Sequence, residues 1–125
     1  MIQLDTSFLI RSLVRHSPED ALLRRWLRDR TPLGVSAIAW TEFLCGPLRP
    51  REVELAAQIV GEALPFRQDE AAVAAELFNG SGRRRGTLVD CMLAASAIAR
   101  DAELATSNPA DFRRLDARGL KVVTA

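Results

Sequence analysis

The chain is poor in the residues that build zinc sites, disulfide frameworks and membrane spans: its 125 residues include one histidine and two cysteines. Cys45 and Cys91 lie far apart, form no CxxC pair and have no partner histidines. This argues against a disulfide scaffold or a zinc site and for a reducing compartment. His16, the one histidine, stands just before a turn and reads as a surface residue rather than a catalytic base. No apolar run approaches the ~20 residues of a membrane span. The first ten residues, MIQLDTSFLI, carry an acid and no basic region, unlike a signal peptide, so a cytoplasmic protein is expected. A strong net charge is missing too: the formal value is +1, and the total does not announce a nucleic-acid binder. Lysine is nearly absent, Lys121 being the only one, and every other basic side chain is arginine. Arginine forks suit phosphates, but a GC-rich genome produces the same bias.

What is present is ordinary for a folded protein, with 48% apolar and 26% charged residues. A single domain over residues 1–125 is expected, with one core. Residues 1–5 form a short apolar run ending in Asp5, and a helical pattern with Phe8, Leu9, Ser12 and Leu13 on one side follows. Ser17-Pro18-Glu19-Asp20 supplies an N-cap, a first-position proline and two acids for a second helix. That helix is expected to bury Leu22, Leu23, Trp26 and Leu27 before Thr31-Pro32 ends it. Leu33-Gly34-Val35 is β-prone, and Ser36 can cap a helix that stops at Gly46-Pro47. A helix over 51–61 is followed by Ala63-Leu64-Pro65-Phe66, which can form only a short or edge strand because proline has no N–H to donate. Asp69 is placed to cap a helix reaching about Phe78. Asn79–Gly86, NGSGRRRG, reads as a loop, and Thr87 as the cap of a helix with Leu88, Cys91, Met92, Ala95 and Ile98 on its apolar face. Strand signals at 103–106 and 120–123 complete the pattern. Strands alternating with helices predict an α/β sandwich with a mainly parallel sheet, whose ligands bind beyond the carboxyl ends of the strands.

Four acids come from four segments. Asp5 ends the first strand, where it can cap the next helix or serve as a ligand; Thr6 and Ser7 could cap equally well, so both roles stay open. Glu42 sits in a largely apolar helix that offers it no obvious polar face, and a carboxylate there needs a cation or a strong hydrogen bond. Asp90 has the spacing of a capping box with Thr87, yet Ala94 and Ala97 share its face and would set it in a crevice. Asp111 follows the 103–106 strand and can be a ligand or the cap of a turn, with Thr106 and Asn108 able to hydrogen-bond a neighbouring carboxylate. Oxygen ligands without thiols or imidazoles select Mg²⁺ or Mn²⁺, ions that typically assist phosphodiester cleavage.

The segments LDTSFLI from Leu4, TEFLCG from Thr41, RRRGTLVDCMLAASAIA from Arg83 and ATSNPADF from Ala105 together resemble PIN domains, especially the VapC-type toxins of toxin–antitoxin pairs. Each block is weak alone; four in order across nearly the whole chain are specific. The resemblance implies a three-layer α/β/α sandwich with a central, mostly parallel five-stranded sheet. It implies a metal-dependent endoribonuclease acting on structured RNA such as tRNA or rRNA, with Mg²⁺ (or Mn²⁺) as cofactor. Asp5, Glu42 and Asp90 map onto the family's three most regular acids, with Asp5 and Asp90 as metal ligands. Many relatives carry the fourth acid where this chain has Asn108; the role is assigned to Asp111, with Thr6, Thr106 and Asn108 as supporting polar groups. The Arg83-Arg84-Arg85 run is the expected RNA contact. A cognate antitoxin is implied as partner, in a homodimer or a toxin–antitoxin hetero-oligomer. Trp26, Trp40, Leu22 and Leu23 are candidates for the groove that receives it.

Two other readings compete. A phosphatase using Asp5 as nucleophile would need a second acid two residues on, where Ser7 stands, and a phosphate-binding lysine, whereas Lys121 falls in the last strand. A PIN-like module that binds RNA or protein without cutting is the principal alternative.

Overall fold

The computed structural model describes residues 1–115 and 119–125. In chain order the elements are β1 (Ile2–Leu4), α1 (Thr6–Ser12), α2 (Pro18–Arg28), β2 (Leu33–Gly34), α3 (Ala37–Leu44), α4 (Pro50–Val60), α5 (Gln68–Gly80), α6 (Leu88–Ala99), β3 (Glu103–Ala105), α7 (Pro109–Arg113) and β4 (Lys121–Val123). The sheet runs β2-β1-β3-β4 with every pairing parallel; Ile2 faces Leu33 on one side and Glu103 on the other, and Glu103 faces Lys121. Helices flank it, so the expected α/β architecture holds.

The sheet has four strands among the described residues, where five were expected. The segment around Leu64 makes only an isolated parallel bridge to Ser36, through Leu64 N–H to Val35 O and Ala37 N–H to Leu64 O, both 2.8 Å. α3 begins at Ala37, directly after the bridge, so the ladder does not extend. Leu64 also crowds Gly34: a Cβ there would lie 3.0 Å from the Met1 sulfur and 3.2 Å from Leu64 Cδ1. The absence of a side chain at Gly34 makes room for those of Met1 and Leu64.

β1 is buried on both faces, although its sequence alternates apolar, polar, apolar. Even Gln3 is enclosed, its amide donating to Ser96 O at 3.3 Å. Phe8, Leu9, Val35, Phe43, Cys91 and Leu104 fill the core around it. Trp26 stacks on Phe8 with ring centroids 5.5 Å apart, and Leu23 is buried beside it. Trp26 therefore belongs to the core rather than to a surface groove, while Trp40 is half-buried against Phe43 and Leu27 is exposed.

Ser17 and Ser36 cap α2 and α3 as expected, accepting from Asp20 N–H and Ala39 N–H at 3.0 and 3.1 Å. Two other expected caps are corrected. α5 begins at Gln68, and Glu70 rather than Asp69 accepts the free N–H of Arg67, at 2.5 Å. Thr87 makes no side-chain cap; its hydroxyl turns back to Arg84 O at 2.7 Å and pins the arginine loop to the start of α6. α6 is buried on nearly all sides from Cys91 to Ala97, while Leu88 and Val89 in its first turn are exposed.

Candidate active site

Strand order reverses between β1 and β3: β1 connects onward to β2 on one side, while β3 and β4 occupy the other. The carboxyl ends of β1 and β3 therefore flank the crevice where open parallel sheets bind ligands. Asp5 follows β1, and its N–H is held by Ala105 O at 3.0 Å; Thr106 follows β3. The topology thus delivers the first acid and the fourth block to one sheet edge.

Asp5 both caps and lines this edge. Its Oδ1 accepts the Phe8 N–H at 2.8 Å and the Ser7 hydroxyl at 2.7 Å, so cap and site roles coexist. Burial pushes its pKa above the ordinary value; the Thr106 hydroxyl, Phe8 N–H and Ser7 hydroxyl oppose that, and the Glu42 charge adds to it. Ser7 was not expected to matter. It bridges Asp5, Thr106 (3.3 Å between hydroxyl oxygens) and the Ser107 N–H, which donates to it at 3.1 Å. Only the parallel pairing of β1 and β3 brings residue 7 to residue 107.

Glu42 corrects one expectation. It lies on the exposed side of α3 with Thr41, not in an apolar wrap. It is nevertheless held: the Thr6 hydroxyl donates to its Oε1 at 2.7 Å. Thr6, expected as a supporting polar group, therefore orients Glu42.

Asp90 is half-buried in the first turn of α6, and its pKa is pushed up to about 6. Burial contributes most, followed by repulsion from Asp111 and Glu42; Arg114 pulls the other way, and Asp5 adds a smaller push. All four acids singled out in the sequence therefore share one electrostatic neighbourhood. Asp111, in α7, is half-buried and ion-paired with Arg114. Asn108 departs from the group: it is exposed and lines a cleft on the far side of Ser7, with its N–H donating to Thr106 Oγ1 at 3.0 Å. Arg83, Arg84 and Arg85 are exposed in the loop before α6, Arg83 donating to Asn79 Oδ1 at 3.0 Å. His16 is exposed at a positive φ of 68°, as a surface turn residue.

Among the described residues, no three acidic, cysteine or histidine side chains converge into a preformed ion cage. No helix there is long and apolar enough to cross a membrane.

The PIN domain family model matches residues 2–118. The chain belongs to the PIN domain family. Nuclease chemistry is general in that family, which gives this PIN domain its coarse reaction class, hydrolysis of nucleic acid. Curated proteins give no match. Solved structures give several. A chain of VapBC2 from Rickettsia felis, bound to a DNA fragment from the promoter, superposes with a TM-score of 0.79 at 20% identity, over 100% of this chain and 99% of that one. A chain of DNA-bound VapBC from Salmonella typhimurium gives 0.77 at 18% identity, over 98% and 96%. A toxin–antitoxin complex from Klebsiella pneumoniae gives 0.75 at 24% identity, over 99% and 97%. At these identities the likeness is one of fold, and it covers the PIN domain from end to end.

Proposed function

We propose that this PIN domain is a divalent-metal-dependent endoribonuclease and the toxin of a toxin–antitoxin pair, cutting structured RNA such as tRNA or rRNA. The observation that carries the reading is the crowding of Asp90 by Asp5, Glu42 and Asp111 at the switch point of the sheet. Carboxylates that raise one another's pKa form a site that favours a cation. The donors are all hard oxygens, which fit Mg²⁺ or Mn²⁺, and an arrangement without a tight three-ligand cage among the described residues is compatible with Mg²⁺. That ion keeps several waters and is commonly held through one or two carboxylates plus substrate phosphate.

Asp5 and Asp90 would hold the ion, with Glu42 and Asp111 completing the acidic surround. When bound, a divalent ion offsets charge building on the phosphate oxygens and makes water a better nucleophile. The chain's own groups supply the rest. Ser7 and the Phe8 N–H fix one oxygen of Asp5, leaving the other to face the site. Thr6 does the same for Glu42. Burial and the neighbouring acids push the Asp90 pKa up to about 6, so a bound cation would favour its charged form. Arg83, Arg84 and Arg85 bind the RNA backbone, positioned by the Thr87–Arg84 hydrogen bond at the start of the helix that carries Asp90.

The antitoxin reading is supported by a cleft of about 500 Å³ between α1, α2 and α4. Its walls include Leu27, Leu55 and Ile59, and Arg15, Arg24 and Arg51 line it as well. Exposed leucines among arginines suit an amphipathic helix with acidic flanks. Leu23, one of the residues expected in the groove, lines this cleft, whereas Trp26 and Trp40 do not. The VapBC and toxin–antitoxin complexes with this fold give the reading its second support.

The deciding experiment is cleavage of a mixed RNA pool by antitoxin-free protein with Mg²⁺, with Mn²⁺ and with EDTA, alongside Asp90→Asn. Discrete cuts that vanish with EDTA and in the variant are expected. Cuts that persist in either control would sink the metal mechanism, and RNA binding without cuts would leave a non-catalytic module.

A further inference from the structure

Asp111 and Arg114 stand three residues apart, in and just after α7, while Phe112 and Leu115 of the same turn are buried in the core. That burial fixes the rotation of α7 against α6, the helix that carries Asp90. Arg114 Nη2 donates to Asp111 Oδ1, and both side chains stay partly exposed. An exposed ion pair of this spacing at a helix end is common and by itself contributes little. Two features set this one apart. Of the ion pairs among the described residues, it is the one whose acid belongs to the candidate site. Its cation is also felt inside the site: burial raises the Asp90 pKa most, Asp111, Glu42 and Asp5 add to it, and Arg114 opposes them. The guanidinium therefore stands at the rim of the acidic crevice. It carries five N–H donors, and among the described residues Asp111 engages only Nη2, so Nε and Nη1 keep donors for a ligand.

We propose that Arg114 is a catalytic residue that binds a non-bridging oxygen of the scissile phosphate, and that Asp111 is its positioning residue rather than a metal ligand. The proposal rests on the ribonuclease reading above for its substrate. The Asp111–Arg114 pair is formally neutral, which leaves Asp5, Glu42 and Asp90 as the site carboxylates with no ion-pair partner among the described residues. Those three suit a cation. A phosphate drawn to them is anionic itself and needs a second positive group for its remaining oxygen. A planar guanidinium fork matches phosphate oxygens, and one already held by a carboxylate loses less side-chain freedom when it binds. As attack on phosphorus proceeds, negative charge grows on the oxygens, so a fixed cation there stabilises the transition state more than the ground state. Arg83, Arg84 and Arg85 grip the backbone from an exposed loop, whereas Arg114 is held by an acid of the site itself.

The test compares the full chain with Arg114→Gln, Arg114→Lys, Asp111→Asn and the double variant Asp111→Asn/Arg114→Gln. In RNA cleavage, Arg114→Gln is expected to lower kcat roughly a hundredfold and to raise KM only a few fold. Arg114→Lys, which keeps the charge without the fork, should recover part of the rate. Asp111→Asn should cost less than Arg114→Gln, and the double variant should be no slower than Arg114→Gln, because Asp111 then has nothing to position. Two readouts need no turnover. In an Asp90→Asn background, Arg114→Gln should reduce the slope of log RNA affinity against log salt by about 0.7, the value for one phosphate contact on a single strand. The double variant, whose charge balance is unchanged, should keep the rise in melting temperature that Mg²⁺ is expected to give wild type at pH 7. Loss of that rise would make Asp111 a metal ligand and overturn the proposal. So would additive losses in the double variant. An active wild type with an equally active Arg114→Gln defeats this proposal and leaves the nuclease reading standing. A wild type that cuts no RNA, with the slope change intact, defeats the nuclease reading; Arg114 is then a phosphate contact and its catalytic role falls.

Discussion

The Thr6 hydroxyl donates to Glu42 Oε1 at 2.7 Å, tying the first turn of α1 to α3 across 36 positions of sequence. Glu42 is otherwise exposed and free to sample rotamers, so this one bond aims its carboxylate at the crevice. Thr6→Val keeps the shape and removes the donor. RNA cleavage should fall about tenfold while stability changes by about 1 kcal/mol or less, and Thr6→Ser should restore the rate. A Thr6→Val protein that cuts at the wild-type rate would show that Glu42 needs no such orientation.

Asp90 makes stability depend on pH. Its folded pKa, about 6, exceeds the ordinary 3.8, so the folded state prefers the protonated form. The stability it contributes is full below about pH 4 and is lost as pH rises through 6. Asp90→Asn, permanently neutral, should therefore gain stability relative to wild type between pH 4 and pH 7 in the absence of divalent ions. Melting temperatures of both proteins across that range check the sign; a constant difference would mean that the carboxylate is not under repulsion. Mg²⁺ should raise the wild-type melting temperature at pH 7 and leave the variant nearly unmoved.

The three arginines of the loop before α6 are solvent-exposed, and none forms an ion pair with a described residue. If each meets one phosphate, replacing all three by glutamine should reduce the slope of log affinity against log salt by roughly 2 on single-stranded RNA. Filter binding at several salt concentrations with Asp90→Asn, which prevents turnover, gives the number. An unchanged slope would place the RNA elsewhere.

Stability rests partly on an ion pair remote from the site. Glu70 is fully buried and its Oε1 receives Arg100 Nε at 2.8 Å and the Ser96 hydroxyl at 3.0 Å. Glu70→Ala leaves Arg100 and Ser96 without their acceptor and should cost on the order of 3 kcal/mol. Denaturant unfolding measures it. A loss below about 1 kcal/mol would mean that solvent or Pro65 O, already bonded to Arg100 Nη2 at 2.8 Å, replaces the carboxylate.

The features legible in the sequence were those decided within a turn or a few residues. Ser17 and Ser36 cap their helices because a hydroxyl at that position meets an N–H three residues on, whatever the rest of the chain does. Pro18 stands at the first position of α2, where its missing N–H costs nothing. The alternation of strands and helices, and four acidic blocks in order, identified the fold and the edge of the sheet that matters. What only tertiary structure decided are pairings set by strand register and helix packing. Ser7 meets Ser107 because β1 and β3 pair in parallel, Thr6 meets Glu42 because α1 packs on α3, and Glu19 meets Ser107 across 88 positions. The same packing put Trp26 on Phe8 in the core and turned Glu42 outward. A residue's type states which bonds it can make; the fold decides which partner stands within about 3 Å.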